Sequence, residues 1–452
     1  MFGTSGVRGR FGSDVTADLA LSIGRAVASD GADRIVLGRD PRTTGDLLAD
    51  AAAAGARECG ADVIDLGLAA TPTIARSVGW QDADAGIAVT ASHNPPEDNG
   101  LKLWEPSGQA FGKDHREQIA RTVQNGEAGS ADWEAVGSRT AWNGAEDRHV
   151  AAIVDAIAAE PDSGLADLEV VVDVGNGAGG ITVRALRELG CSVTALNERP
   201  DGHFPSRPSE PTEENLAALG SVVGAADADL GVAHDGDADR MMAVDETGRF
   251  VGGDALLALF ATDAVEGSAA GSQVAAPVNT SLAVDDALAG VGADLVRTRV
   301  GDVFVAERAS QPDVGFGGEP SGAWIWPGET LAPDGPLAAC RLAKMVADGG
   351  PLSAMVGEIE QYPIRRDSRE VAEKAATMER IRSAATDEYA DAADSDVETL
   401  DGVRVTTDDG WFLVRASGTQ PLIRVTAEAR EAGRADELLA AAHGLLDDAI
   451  VE

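Results

Sequence analysis

Several short loops concentrate the groups able to do chemistry. Thr90-Ala91-Ser92-His93-Asn94-Pro95-Pro96 follows the apolar run Gly86-Ile87-Ala88-Val89. An Ile/Val-rich run ending in paired prolines predicts a buried strand that delivers a stiff turn, because proline fixes φ and turns the preceding residue away from helix. Ser92 at the exit of that strand is placed to carry a covalent group. A plain polar turn would use the same residue types. His234-Asp235-Gly236-Asp237-Ala238-Asp239-Arg240 lies between two further apolar runs, Leu230-Gly231-Val232-Ala233 and Met241-Met242-Ala243-Val244. Carboxylates at alternate positions of a tight loop can converge on one hard cation, and Mg²⁺ takes oxygen ligands while leaving room for a phosphate oxygen. A calcium loop of the EF-hand type is disfavoured: Arg240 stands where its sharp bend needs glycine, and the flanks predict strands. A solvated acidic turn is the remaining alternative.

Further along, Gly315-Phe316-Gly317-Gly318-Glu319-Pro320-Ser321-Gly322 offers a carboxylate and a hydroxyl suited to vicinal sugar hydroxyls, although a turn has the same composition. Arg415-Ala416-Ser417-Gly418-Thr419-Gln420-Pro421, with Arg424, gathers guanidinium groups, hydroxyls and backbone amides. That combination holds a phosphate dianion, since a planar fork binds it bidentately and a nest of N–H groups surrounds it. Gly175-Asn176-Gly177-Ala178-Gly179-Gly180 matches the dinucleotide fingerprint, with Glu198 at ribose spacing. This is the rival reading, an NAD-dependent oxidoreductase, but it leaves the serine, aspartate and Ser-Gly-Thr loops unexplained. Neither a nucleophile elbow nor a Walker A sequence is present, so a phosphoryl group would come from the protein or from a sugar phosphate.

The elements that must position these loops follow one recurring pattern. Arg34 to Leu37, Val170 to Val172 and Gln273 to Ala276 each predict a strand leading into a polar loop, a helix, a glycine stop and a second strand. Such βαβ units favour largely parallel sheets covered by helices, so three related α/β domains are expected. A linker helix is expected over about 145 to 158. The C-terminal part predicts a meander over 403 to 427 with a helix at 434 to 447, an α+β domain opened by helical, Ala-rich sequence over 367 to 399. The expected domains are 1–143 with the serine loop, 144–253 with the acidic loop, 254–363 with the sugar loop and 364–452 with the phosphate loop.

Composition narrows the class. The 452 residues suit about three domains, and 44% hydrophobic content fills several cores. A net charge of −40, from 36 basic and 76 acidic residues, argues against nucleic acid or an anionic membrane as partner. So large an excess points to a salt-rich cytoplasm that screens the self-repulsion, a halophilic setting. Three cysteines without paired spacing suggest neither disulfides nor a zinc site, and no signal peptide or 18-residue apolar run is seen. A soluble, cytoplasmic protein is expected; oligomeric state is not legible.

Taken together, the sequence resembles the α-D-phosphohexomutase family. Phe2 to Gly9, Thr90 to Pro96, Asp98-Asn99-Gly100-Leu101-Lys102, Asp235 to Arg240, Glu319 to Gly322 and Arg415 to Thr419 stand in the family's order along the whole chain. The resemblance implies four domains around a central cleft, the last closing over a small-molecule sugar phosphate. It implies that Ser92 is the phosphorylated serine, and that Asp235, Asp237 and Asp239 bind one Mg²⁺ with a phosphoserine oxygen completing the site. Glu319 and Ser321 would select sugar hydroxyls, and Arg415, Ser417, Gly418 and Thr419 would grip the non-reacting phosphate. Arg8, Lys102, Arg240 and the adjoining His93 would serve charge stabilisation and proton transfer. The implied reaction interconverts hexose 1- and 6-phosphates through a hexose 1,6-bisphosphate. Two segments, Phe2 to Gly9 and Arg415 to Arg424, are most similar to phosphoglucosamine mutases, with phosphomannomutase and phosphoglucomutase activity as alternatives. Ala323, where the family often has histidine, and Gln420, where it commonly has glutamate, depart from the pattern.

Overall fold

The computed structural model describes all residues except 1–2, 4–5, 159–163, 267–272, 390–394, 419–420 and 452. Four sheets follow one another along the chain. In the first three, the expected βαβ units are present and their strands pair in parallel: Arg34–Arg39 with Asp62–Leu68, Glu169–Asp173 with Ser192–Leu196, and Gln273–Pro277 with Asp294–Thr298. The helix of each unit stops at a glycine with positive φ, Gly60, Gly190 or Gly292, where a side chain would be strained.

A regularity beyond the βαβ unit positions the chemistry. On the other side of each first strand lies a second parallel neighbour, Ala85–Val89, Leu230–His234 or Val314–Glu319. Each of these neighbours then turns back into an antiparallel partner, Asp98–Trp104, Met241–Val244 or Ala323–Ile325. The serine, acidic and Glu-Pro-Ser-Gly loops are those three turns. They leave the carboxyl ends of equivalent strands, where open α/β sheets place their ligands.

Every residue of Ala85–Val89 and Leu230–His234 is buried. Ile87, Val89, Leu230, Val232 and Ala233 fill the cores, which explains why these runs lack alternation. The expected linker helix is Ala145–Ala158. Its His149 is fully buried, with Nδ1 2.8 Å from Thr73 Oγ1 and Nε2 2.9 Å from Asp334 Oδ2. Asp334 also accepts from Arg76 and caps the helix Gly335–Gly349, so one polar knot joins the first three units.

The fourth sheet is antiparallel throughout, in the order Ile364–Glu370, Leu422–Ala429, Gly410–Ala416, Val403–Thr407, Ser395–Glu398, and the helix Ala432–Val451 packs on it. The helical, Ala-rich stretch over 367–399 contains a helix but also strands at its ends. Among the described residues of this stretch Lys374–Tyr389 is helical, while Ile364–Glu370 and Ser395–Glu398 are edge strands. Ile-Arg-Arg-Asp-Ser-Arg-Glu is mostly exposed, and charged side chains suit a solvent-facing sheet edge as well as a helix surface. Among the described residues no helix is long and apolar enough to cross a membrane.

Candidate active site

Ser92 occupies a left-handed backbone conformation, φ +54, which a non-glycine residue adopts only when its surroundings hold it there. The support comes from Arg42, a buried guanidinium that sequence reading had passed over. It donates to the carbonyls of Ser92 (2.9 Å), Asn94 (2.7 Å), Pro95 (2.5 Å) and Asp98 (2.9 Å). Its Nε bonds Asp40 at 3.0 Å, and Asp40 also accepts from Thr90 Oγ1, which in turn receives the Ser92 amide. One planar fork with five donors therefore satisfies most of the polar backbone of a turn that the prolines keep from forming its own ladder.

Within the acidic loop, one oxygen from each of Asp235, Asp237 and Asp239 lies within 4.8 Å of the others, and all three residues are buried. Each carboxylate is tied to a different part of the first unit. Ser92 Oγ donates to Asp235 at 2.6 Å, Thr71 Oγ1 to Asp237 at 2.6 Å and Lys102 Nζ to Asp239 at 2.5 Å. The second oxygens of Asp237 and Asp239 are buried without a hydrogen-bond partner. Acceptors of that kind are costly to bury unless a cation faces them, so the residues present fit a hard divalent ion. Burial and the neighbouring carboxylates push Asp235 well above the usual range. Asp239 moves the other way: Lys102 and Arg240 outweigh its burial and hold it below the usual range.

The two loops touch backbone to backbone. A Cβ on Gly236 would fall 2.7 Å from the Ser92 carbonyl oxygen, and one on Gly177 would fall 2.7 Å from the Gly236 carbonyl oxygen. Ala178 N donates to that same Gly236 oxygen. Gly177 is thus spent on close packing against the acidic loop, Gly179 packs on His234 at its edge, and Gly175 faces Arg207 with a positive φ, so the run has structural uses that need no dinucleotide.

A cavity of about 820 Å³ opens in front of these loops, walled by all four sheets' loops. Arg8, Ser92, His93 and Lys102 face it from the first unit, and Asp239 and Arg240 from the second. Glu319 and Ser321 face it from the third, with Ala323 beside them, and Arg415, Ser417, Gly418 and Arg424 from the fourth. Asp235 and Asp237 lie behind this lining. Thr419 and Gln420 lie outside the described residues.

Charges inside the cavity are set by contact. His93 Nδ1 is 3.2 Å from Ser92 Oγ, and burial with the nearby Arg240 and Arg8 pushes the imidazole down to about 2, so it is neutral. For Lys102 burial works against the charge, but Asp239 and Asp302 prevail, its pKa is raised and it stays an ammonium. Burial, then the Asp302 charge, raises Glu319 to about 7; its oxygens accept from Gly301 N (2.7 Å) and Ser321 Oγ (3.4 Å). Arg299, Asp302, Glu210 and Asp401 also line the cavity and escaped the sequence reading. Asp401 accepts from Val300 N and stands 3.5 Å from Arg415, which links the third and fourth units at the rim. Of these, Asp302 follows Gly301, whose φ of +134 suits only glycine, a feature that the structure shows and the sequence does not.

Comparison with known proteins gives consistent matches. Models for "Phosphoglucomutase/phosphomannomutase, alpha/beta/alpha" domains I, II and III match residues 1–130, 147–248 and 252–362, and the model for the family's C-terminal domain matches 368–443. A protein of Methanocella arvoryzae named "Probable phosphoglucosamine mutase" is 43% identical over 449 residues, covering 99% of this chain and 98% of that one. A Methanopyrus kandleri protein of the same name is 42% identical over 442 residues, with 97% and 95% coverage. Among solved structures, a phosphoglucomutase/phosphomannomutase family protein from Burkholderia thailandensis superposes with a TM-score of 0.85 at 27% identity, covering 99% of this chain and 98% of that one.

Proposed function

This chain belongs to the phosphoglucomutase/phosphomannomutase family and is an enzyme of the phosphohexomutase kind, and we propose that it interconverts the 1- and 6-phosphates of a hexosamine, as a phosphoglucosamine mutase. The observation that carries this reading is the single cavity in which the Ser92 hydroxyl, the aspartate loop and the Arg415 to Gly418 loop face one another.

In the proposed cycle Ser92 is resident as a phosphoserine. Its P–Oγ bond breaks as the free hydroxyl of the bound sugar phosphate forms a new P–O bond, the proton that hydroxyl loses ends on the departing Ser92 Oγ, and a hexose 1,6-bisphosphate results. The bisphosphate turns over in the cavity and returns its other phosphoryl group to Ser92. Phosphoryl transfer needs in-line placement and neutralisation of charge more than covalent help. Arg8, Lys102 and Arg240 supply positive charge around Ser92, and His93, kept neutral by its burial among them, stands beside Ser92 Oγ as an uncharged hydrogen-bonding partner. Asp235, Asp237 and Asp239 would hold Mg²⁺, which when bound supplies Lewis-acid stabilisation of phosphoryl oxygens. Arg415, Ser417, Gly418, Thr419 and Arg424 would grip the phosphate not being transferred, while Glu319 and Ser321 orient the sugar. The substrate is thus a small sugar phosphate rather than a macromolecule, and a cytoplasmic location is part of the same proposal.

Coupled assays of the phosphorylated protein on glucosamine, mannose and glucose phosphates at high salt test the assignment. Turnover of glucosamine phosphate with the highest kcat/KM is expected, and Ser92→Ala should abolish turnover while retaining sugar phosphate binding. A fully active Ser92→Ala protein would sink it.

A further inference from the structure

The first and second units frame their active loops in the same way. At the carboxyl end of each first strand a buried aspartate holds a buried arginine, Asp40 with Arg42 at 3.0 Å and Asp173 with Arg207 at 2.6 Å. Each arginine then reaches the exit of the neighbouring parallel strand. Arg42 donates to the Ser92 carbonyl, and Arg207 donates to the His234 carbonyl at 2.8 Å, where the acidic loop begins. Arg207 also donates to the carbonyls of Pro208 (3.1 Å) and Ser209 (3.3 Å). The two frames are alike in space although one arginine lies 2 positions from its aspartate and the other 34.

Residues 201–210 of the second unit join the two frames. A Cβ on Gly202 would fall 2.4 Å from the Pro41 carbonyl oxygen, so this segment crosses directly beside Arg42. The Phe204 ring centre lies 5.1 Å from the Arg42 guanidinium carbon, a cation–π distance. Further along, the buried Ser209 donates its hydroxyl to the Ser92 carbonyl at 3.0 Å. That hydroxyl would also stand 2.8 Å from a Cβ on Gly236, inside the acidic loop. A continuous path of hydrogen bonds therefore runs from the exit of the second strand, through Arg207 and Ser209, to the carbonyl of Ser92.

Phosphoryl transfer tolerates little error in the spacing of the groups around the reacting oxygen. Ser92 and Asp235 sit on loops of different units, so neither loop alone fixes that spacing. We propose that Arg207, acting through Ser209, is a positioning residue for the reaction, which sets the acidic loop against the Ser92 turn. This rests on the mutase reading and extends it to two side chains behind the cavity wall, whose effect on the chemistry passes through the loops they hold.

The test uses the full-length chain and two readouts. Calorimetric titration of unphosphorylated protein with Mg²⁺ alone reports on the acidic loop; kcat and KM for glucosamine 6-phosphate report on the placement of Ser92. Arg207→Lys keeps a cation facing Asp173 but lacks the planar fork that spans the His234 and Ser209 carbonyls. It should weaken Mg²⁺ binding about tenfold or more, the effect expected on losing a group that orients metal ligands from behind. Ser209→Ala should lower kcat about tenfold while KM changes less than about twofold, because the sugar and phosphate loops of the third and fourth units are untouched. A purely structural role would lower the melting temperatures yet leave the Mg²⁺ Kd and kcat of the folded variants at wild-type values, and that result overturns the inference. Should Arg207→Lys fail to fold, Ser209→Ala, which removes a single hydroxyl, decides by the same split between kcat and KM. A wild-type protein that binds Mg²⁺ but turns over no hexose phosphate overturns the mutase reading, and an unchanged Mg²⁺ Kd in Arg207→Lys then overturns the positioning role separately. A wild-type protein that binds no Mg²⁺ overturns both.

Discussion

Ser92 and Asp235 lie 143 positions apart and meet in one hydrogen bond of 2.6 Å, in which the serine hydroxyl donates to the carboxylate. The bond aims Oγ across the junction of two units, from a backbone held at φ +54. A β-branched residue is a genuine outlier at that φ. Ser92→Thr, although it keeps a hydroxyl, should therefore lose about 100-fold or more in kcat, the order expected when a reacting atom is displaced by about 1 Å. Steady-state rates beside a melting curve check this; near-wild-type turnover by the threonine variant would contradict the geometry.

Metal removal should show in stability as well as in rate. The buried carboxylates of the 235–239 loop leave two oxygens without partners, so an ion that binds only the folded state stabilises it, by about 2.7 kcal/mol at a hundredfold excess over Kd. Mg²⁺ should raise the melting temperature above that in EDTA. Asp237→Asn should lose most of that response yet melt in EDTA no lower than wild type, because one of three like charges is gone. Equal Mg²⁺ responses in both proteins would argue that the ion binds elsewhere.

Arg42 should be less replaceable than its neighbours. Arg42→Met strands the Asp40 carboxylate and four carbonyls in a dry site, and breaking a buried pair of this kind costs about 3–5 kcal/mol. Arg42→Lys should recover little, since a lysine has three donors and no planar fork. Denaturant unfolding followed at the first unit, with kcat in parallel, measures both effects.

Glu319 gives the chain a pH dependence with a definite sign. Its pKa rises from 4.5 in the unfolded chain to about 7 in the fold, so between those values the folded state binds the extra proton. The contribution is fully present below pH 4.5 and is lost as pH climbs through 7; a shift of this size corresponds to about 3 kcal/mol at most. Because Asp40, Asp254 and the buried histidines titrate too, the readout is the stability difference between wild type and Glu319→Gln: relative to the glutamine variant, wild type should lose stability as pH climbs from about 5 to 8, and Asp302→Asn should move the midpoint of that loss downward. A difference that does not change across this window, or that changes with the opposite sign, would reverse the assignment.

The acidic excess leads to a last expectation. With a net charge of −40 the folded chain repels itself, and potassium chloride should raise its melting temperature steeply as the screening length shrinks from about 30 Å at 0.01 M to about 3 Å at 1 M. Insensitivity to salt would remove the ground for a halophilic setting.

How much of this was written locally is clear from particular residues. The apolar runs ending at Val89 and His234 and the loops they deliver could be read because strand, turn and charge all fall within a dozen residues. The regularity that ties them together, each loop joining the third parallel strand of its unit to an antiparallel return, needed the register. Arg42 was invisible because the carbonyls it holds are some 50 to 56 positions away and nothing beside it marks it as buried. Asp302 was missed for the same reason: its meaning comes from Lys102 and Glu319, not from its own segment. The strand Ile364–Glu370 went unread because its charged side chains give no periodicity to follow.

The four-walled cavity has a consequence for how such a protein can be divided. No fragment cut between two units inherits a reduced version of the chemistry, because serine, carboxylates and phosphate grip are encoded in separate stretches. Expressed separately, the pieces would be inert, and catalysis by a split chain would report reassembly itself.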